Sequence, residues 1–223
     1  VFRLPVDRVF SIKGFGTVIT GTVSSGEAKV GDTIEILPGN KKAKIRGIQS
    51  HDSTVDSVQL GSRAAINLQG IEADELARGC QVATPNYFQN HSILGAKVSL
   101  LSTSKHPIIQ NQRVRIHLGT QEVMARVALP DRKSIEPGDV GPVIFKLESP
   151  LVAAVSDKFI IRLYSPVVTI GGGEVIETEL LGKWKNNKEK ITHLYNLKDD
   201  EKFRYVIGSA AGKPIGKSEL GLK

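Results

Sequence analysis

The side chains best suited to chemistry are thinly spread in this sequence. Its five histidines, His51, His91, His106, His117 and His193, sit at no spacing that gathers them on one metal ion, and the single cysteine, Cys80, belongs to no paired motif. No metal site is expected. No Ser/His/Asp set or pair of carboxylates stands out, so no catalytic constellation is expected either. Two glycine-rich runs invite a phosphate-binding reading. Gly171-Gly172-Gly173 is followed by no helix whose N-terminus could receive an anion, and glycines inside a strand pattern more commonly mark a bulge or a close approach of backbones. Gly216-Lys217-Ser218 ends like a nucleotide-binding loop, but that motif needs a glycine where the chain has Ala211, and a turn leading into a helix is expected instead. What remains is cationic: Asp7-Arg8 in an alternating run, and Arg63 after the Gly61-Ser62 turn. Guanidiniums offer forked, charge-assisted contacts to anions. Strand alternation would put Asp7 and Arg8 on opposite faces, where either suits an ordinary surface ion pair, and Arg63 alone reads as a strand-end charge.

The elements that carry these residues read as β-structure almost throughout. Residues 14–23 alternate apolar and polar side chains with period two between glycines, the pattern of a tight meander with one buried face. Strand-like runs at 2–10, 16–23, 32–37, 42–49 and 63–68, with Pro38-Gly39-Asn40 as a hairpin turn, predict a six- or seven-strand barrel. A short helical turn fits within 72–79, and Thr84-Pro85-Asn86 breaks the pattern, which places a boundary near 89. Runs at 92–101, 112–118, 121–129, 141–147, 158–164 and 169–177 predict a second barrel, since closure removes exposed sheet edges. The expected units are therefore 1–89, 90–182 and a partly helical tail, 183–223. In the tail, Ile191, Leu194 and Leu197 recur at helical spacing among lysines and acids, which predicts an amphipathic helix over 187–204.

A chain of 223 residues with 40% apolar content can bury a core in each of two domains. A lone cysteine excludes an intramolecular disulfide and fits a reducing compartment; no apolar run nears the roughly 18 residues of a membrane span, so a cytoplasmic protein is expected. The start at Val1, with no leader, reads as a cut through a longer protein. A net charge of +7 favours polyanionic partners, whereas 5% aromatic content is too sparse for a base-stacking platform, so any RNA contacts should run through phosphate and sugar.

Four segments carry a specific likeness: residues 2–10, the Gly14-Phe15-Gly16-Thr17-Val18 run, residues 61–68, and residues 165–173 with their three glycines. The 14–23 string resembles the start of the second domain of translational GTPases, and the four segments together resemble the selenocysteine-specific elongation factors, over residues 1 to about 180. That resemblance implies two consecutive closed β-barrels of the translational-GTPase domain II and III type, followed by the start of a winged-helix region. It implies that the first barrel receives the selenocysteinyl end of a tRNA at Asp7, Arg8 and Arg63, with Phe10 and Thr20 beside them. In the general factor the positions matching Arg8 and Arg63 are acidic and a neutral amide. The second barrel would grip the acceptor and T-stem backbone, with Arg113, Arg115, Arg126 and Arg162 as candidates, although alternation would put some on the wrong face. Implied partners are selenocysteinyl-tRNA, the ribosome and, through domains beyond the tail, a hairpin in selenoprotein messenger RNA, with the protein a monomer. GTP, Mg²⁺ and hydrolysis would belong to an N-terminal domain whose motifs are missing from these residues, so this chain should not hydrolyse GTP alone. A general tRNA or initiation carrier would lack a preference for an anionic side chain. A β-barrel adaptor for protein or a small ligand would carry its basic charge incidentally.

Overall fold

The computed structural model describes residues 1–197 and 201. The first barrel uses β1 (Arg3–Ile12), β2 (Gly16–Thr22), β4 (Thr33–Leu37), β5 (Lys41–Ser50), β8 (Arg63–Gln69) and β9 (Gln81–Ala83). They pair in the order β4-β9-β1-β2-β8-β5 and close through β4–β5, all antiparallel. Three short strands decorate the ring: β6 (Ser53–Val55) extends β5, and β3 (Glu27–Lys29) pairs with β7 (Ser57–Gln59). Leu4, Val6, Ile19, Ile45, Ile66 and Val82 fill the interior. The helical turn expected within 72–79 is a single 3-10 turn, Ala73–Glu75.

The second barrel closes in the order β10-β15-β13-β12-β16-β17, with β10 Asn90–Leu100, β12 Arg113–Leu118, β13 Gln121–Ala128, β15 Val140–Val152, β16 Lys158–Leu163 and β17 Thr169–Glu177. A two-stranded arm, β11 (Ile108–Ile109) with β14 (Ser134–Ile135), completes it. Its core is built on Leu94, Val98, Ile116, Val127, Phe145 and Ile161. Strand β15 runs to Val152, beyond the expected end at 147, because its far end pairs again with Asn90 and His91 after a register shift.

The three glycines of β17 have a packing reason. A methyl group at Gly173 would collide with the Lys97 carbonyl oxygen and sit 2.8 Å from Phe159 Cζ, and one at Gly172 would lie 2.7 Å from the Phe159 carbonyl oxygen. These are close backbone approaches at the seam of the barrel. Gly173→Ala is expected to cost about 1–3 kcal/mol by overpacking. Urea unfolding reads this as a lower midpoint at unchanged slope, and an unchanged midpoint would show that the seam can relax.

Helix α1 (Trp184–Asn196) begins earlier than the sequence suggested, and its Ile191 and Leu194 pack with Ala128, Ile144 and Leu180 on the outer wall of the second barrel. It docks where Gly95 leaves room, since a Cβ there would overlap the Ile191 side chain. The expected continuation of the helix through 204 falls largely outside the described residues. The 212–218 run and the winged-helix start lie wholly outside them.

A buried polar joint holds the two barrels together. Arg3 of β1 donates through Nη1 to both carboxylate oxygens of Asp157, at 2.8 and 2.7 Å, and through Nη2 to the Val152 carbonyl at 3.1 Å. Its Nε donates to Gln81, whose own amide reaches the same Val152 carbonyl at 3.0 Å. The guanidinium also lies 4.9 Å from the centre of the Phe88 ring.

Candidate functional site: an anion-facing patch and an arginine wall

In β1 the sequence places a β-bulge where its chemistry lies. Val6 pairs with Gly21 and Arg8 with Thr20, which leaves Asp7 as the extra residue. A bulge resets the alternation, so two neighbouring residues can emerge on one side. The inward positions accordingly run Leu4, Val6 and then Val9, and the expectation that Asp7 and Arg8 face opposite ways is corrected. Both open onto the outer wall, with Thr20 and Arg63.

Asp7 is the centre of this patch. Arg63 donates through Nη1 to Oδ2 and through Nη2 to Oδ1 at 3.1 Å, while Thr20 Oγ1 donates to Oδ1 at 2.6 Å. These contacts, Arg63 first, hold the Asp7 carboxyl below its ordinary value, with the charge of Arg8 adding to the effect against a smaller opposing cost of burial. The pairing with Asp7 in turn raises the guanidinium of Arg63. Arg8 is exposed and has no hydrogen bond or ion pair among the described residues. Phe10, two residues along and opposite Val18, is 38% exposed on the same wall. All five residues singled out in the sequence thus share one wall, with Arg63 oriented by Asp7 and Arg8 left without such a pairing. Because the folded-state carboxyl of Asp7 is depressed, the stability it contributes is complete above its unfolded value, near 3.8, and is lost as pH falls through the lower folded value. An acid titration is therefore expected to unfold the parent and Asp7→Asn with converging stabilities below that range. A constant difference down to the acid limit would rule the linkage out.

The second candidate cluster lies on the wall made by β12, β13, β15 and β16. Sequence reasoning could not decide which of Arg113, Arg115, Arg126 and Arg162 share a face, and register puts all four on the outside. Arg113 stands directly opposite Arg126, and Arg115 directly opposite Arg162. Lys146 faces Arg126 across the next strand pair. Like charges directly opposed across a sheet are destabilising, so three such pairs in one wall mark a surface shaped for something other than stability. Aromatic rings border the row: Arg113 and Arg115 lie 4.5 and 5.5 Å from the centre of Tyr164, and Lys146 lies 4.1 Å from that of Trp184. Neither ring was picked out beforehand, because neither lies next to its cation in the sequence. Nε of Arg115 and of Arg162 are buried without a hydrogen-bond partner.

Other candidates fall away. Cys80 is buried, which raises its thiol pKa, and His91 is lowered chiefly by burial. Among the described residues no cluster of acids, histidines and cysteine could hold a metal ion, and no helix is long and apolar enough to cross a membrane.

The two paired barrels share the fold of translation-factor domains II and III. Residues 16–83 match the family described as elongation factor Tu domain 2, and residues 95–180 match that of the selenocysteine-specific elongation factor β-barrel domain. The selenocysteine-specific elongation factor of Desulfomicrobium baculatum is 38% identical over 222 residues, covering 100% of this chain and 33% of that protein. The protein of the same name from Methanocaldococcus jannaschii is 32% identical over 238 residues, covering 99% of this chain and 50% of that protein. The apo crystal structure of translation elongation factor SelB from Methanococcus maripaludis superposes with a TM-score of 0.69 at 27% identity, over 81% of this chain and 43% of that one. A bacterial selenocysteine-specific elongation factor, at 24% identity and a TM-score of 0.74 over 87% of this chain and 31% of that one, shares the fold. Over its whole length the chain is similar to these selenocysteine-specific elongation factors, and it spans a third to a half of the length of the curated relatives.

Proposed function

We propose that this chain is the tRNA-binding part of a factor that delivers selenocysteinyl-tRNA to the ribosome, with 1–89 receiving the aminoacyl end and 90–182 the acceptor and T-stem backbone. GTP with Mg²⁺, and its hydrolysis, are assigned to a domain outside this chain, as is any contact with a selenoprotein messenger hairpin. The single observation that carries the reading is the patch on β1, β2 and β8, where Asp7 orients Arg63 and leaves Arg8 free.

The chemistry supports it. A selenol is more acidic than a thiol or a hydroxyl, so a selenocysteinyl side chain is largely anionic at neutral pH, and guanidiniums reward that charge with strong, directional hydrogen bonds. A seryl side chain on the same tRNA body presents a neutral hydroxyl and gains far less. Selection between them is a difference of two binding free energies, which these groups alter without reading the tRNA. Thr20 and Phe10 would complete the rim, one by fixing Asp7 and the other by covering the methylene of the ligand. On the other barrel, the opposed arginines suit phosphates. Binding of selenocysteinyl-tRNA and seryl-tRNA to this chain, compared between the parent and Arg63→Ala, tests the reading. A preference for the selenocysteinyl form that depends on Arg63 supports it, and equal binding of both forms by the parent rejects it.

A further inference from the structure

The arginine wall is not simply open. Glu148 of β15 accepts from Arg113 Nε at 2.8 Å and from Nη2 at 2.5 Å, a forked pairing with both carboxylate oxygens, and its Oε1 is 3.9 Å from Arg126 Nε. Beside it Glu122 of β13 accepts from Arg115 Nη1 at 2.5 Å and lies 3.6 Å from His117 Nε2. The forked geometry is the one a phosphate adopts on a guanidinium. Glu148 therefore sits where a phosphate would, between two arginines that oppose one another across the sheet, while Glu122 sits against Arg115 and His117.

We infer that Glu148, with Glu122 as its lesser counterpart, acts as an internal phosphate substitute that RNA must displace to occupy this wall. The inference rests on the reading of the wall as an RNA surface. Glu148 has the properties such a substitute needs. It is 36% exposed, so it can swing away without disturbing the core. An exposed pair of this kind adds little to stability, so the fold does not require it. The neighbouring guanidiniums hold its carboxyl below the ordinary value, Arg113 foremost, so it stays charged at any pH at which RNA binds.

The consequence is selectivity between RNAs. A phosphate that docks on Arg113 releases counterions, but the displaced carboxylate takes one up, so the net release is smaller than the number of arginines suggests. A polyanion making one or two contacts gains too little to displace Glu148. An RNA that also fills the rest of the wall gains enough. The carboxylate therefore acts against weak, indiscriminate binding, in the manner of a repulsive element that sharpens specificity.

The test is Glu148→Gln in the 223-residue chain, which keeps the shape and removes the charge. Its binding to an unrelated short RNA duplex is measured across a salt series, with Arg113→Ala/Arg126→Ala as a second variant and circular dichroism to verify folding. Glu148→Gln is expected to bind the duplex about three- to tenfold more tightly at fixed salt, with the slope of log affinity against log salt steeper by about one contact's worth. Weaker binding, or an unchanged slope, would show that Glu148 positions Arg113 rather than competing with phosphate, and would overturn the inference. The double arginine variant separates this failure from the other. Loss of affinity there with an unchanged slope in Glu148→Gln rejects only the substitute. Undiminished binding by the double arginine variant rejects the wall as an RNA surface, and the inference with it.

Discussion

Arg63→Ala is expected to lower the preference for selenocysteinyl-tRNA over seryl-tRNA by about 10- to 100-fold, almost entirely through weaker binding of the selenocysteinyl form. The magnitude follows from what is removed. A charge-assisted hydrogen bond contributes roughly 1.5–3 kcal/mol, and each 1.4 kcal/mol is a factor of ten in affinity. The lower bound applies because Arg63 is 49% exposed, where solvent weakens each contact, and because two of its donors are already committed to Asp7. Removing Arg63 also leaves the carboxylate of Asp7 without its main partner, still bonded to Thr20, directly beside the incoming anion. That adds repulsion to the lost attraction. Arg63→Lys separates the two effects. A lysine keeps the charge but not the fork, so it should restore part of the preference and fail to hold Asp7 in place. If Arg63→Ala bound both charged tRNAs as the parent does, selection would have to reside elsewhere.

The legibility of this site from sequence was uneven, for physical reasons. Asp7, Arg8, Arg63, Phe10 and Thr20 could be named because the segments that hold them resemble the selenocysteine-specific elongation factors; residue type and alternation alone suited an ordinary surface ion pair and a strand-end charge. Their shared wall could not, because it depends on a one-residue bulge at Asp7, and a bulge leaves no mark in composition while inverting every later side chain of the strand. The same holds for the second barrel. The Arg113-Val114-Arg115 spacing shows that those two share a face, yet only strand pairing brings Arg126 opposite the first and Arg162 opposite the second. Strand periodicity located the longer strands of both rings, while the short strands β3, β6, β7, β9, β11 and β14 escaped because two or three residues carry no period. Helix α1 was visible in its Ile191 and Leu194 spacing. Its docking on Gly95 was not, since the receiving surface is about a hundred residues away in the chain.

Arg3→Ala should be the most destabilising of the substitutions considered, at about 3–5 kcal/mol, and should split unfolding into two steps. Arg3 has a side chain only 7% exposed, and its partner Asp157 is 21% exposed. Truncation would strand that carboxylate and the Gln81 Oε1 atom at the joint, although Asp157 would keep its bond from the Ala154 amide at 2.9 Å and Gln81 its bond to the Val152 carbonyl at 3.0 Å. Each barrel keeps its own apolar core, so the joint can fail while both rings persist. Urea unfolding followed by tryptophan emission reports the second barrel, because Trp184 is the chain's one tryptophan and packs against that barrel's wall. Circular dichroism reports both. Coincident transitions in the parent and separated ones in Arg3→Ala are the expected result; one transition shifted by less than about 1 kcal/mol would show that the joint contributes no more than a surface pair. The functional consequence follows from geometry. Two modest sites held on one rigid body act on a single RNA at high effective concentration, and a loosened joint forfeits that advantage without altering a contact in either site. Arg3→Ala should therefore weaken the binding of charged tRNA while leaving the binding of a short duplex, which reaches only the arginine wall, nearly unchanged.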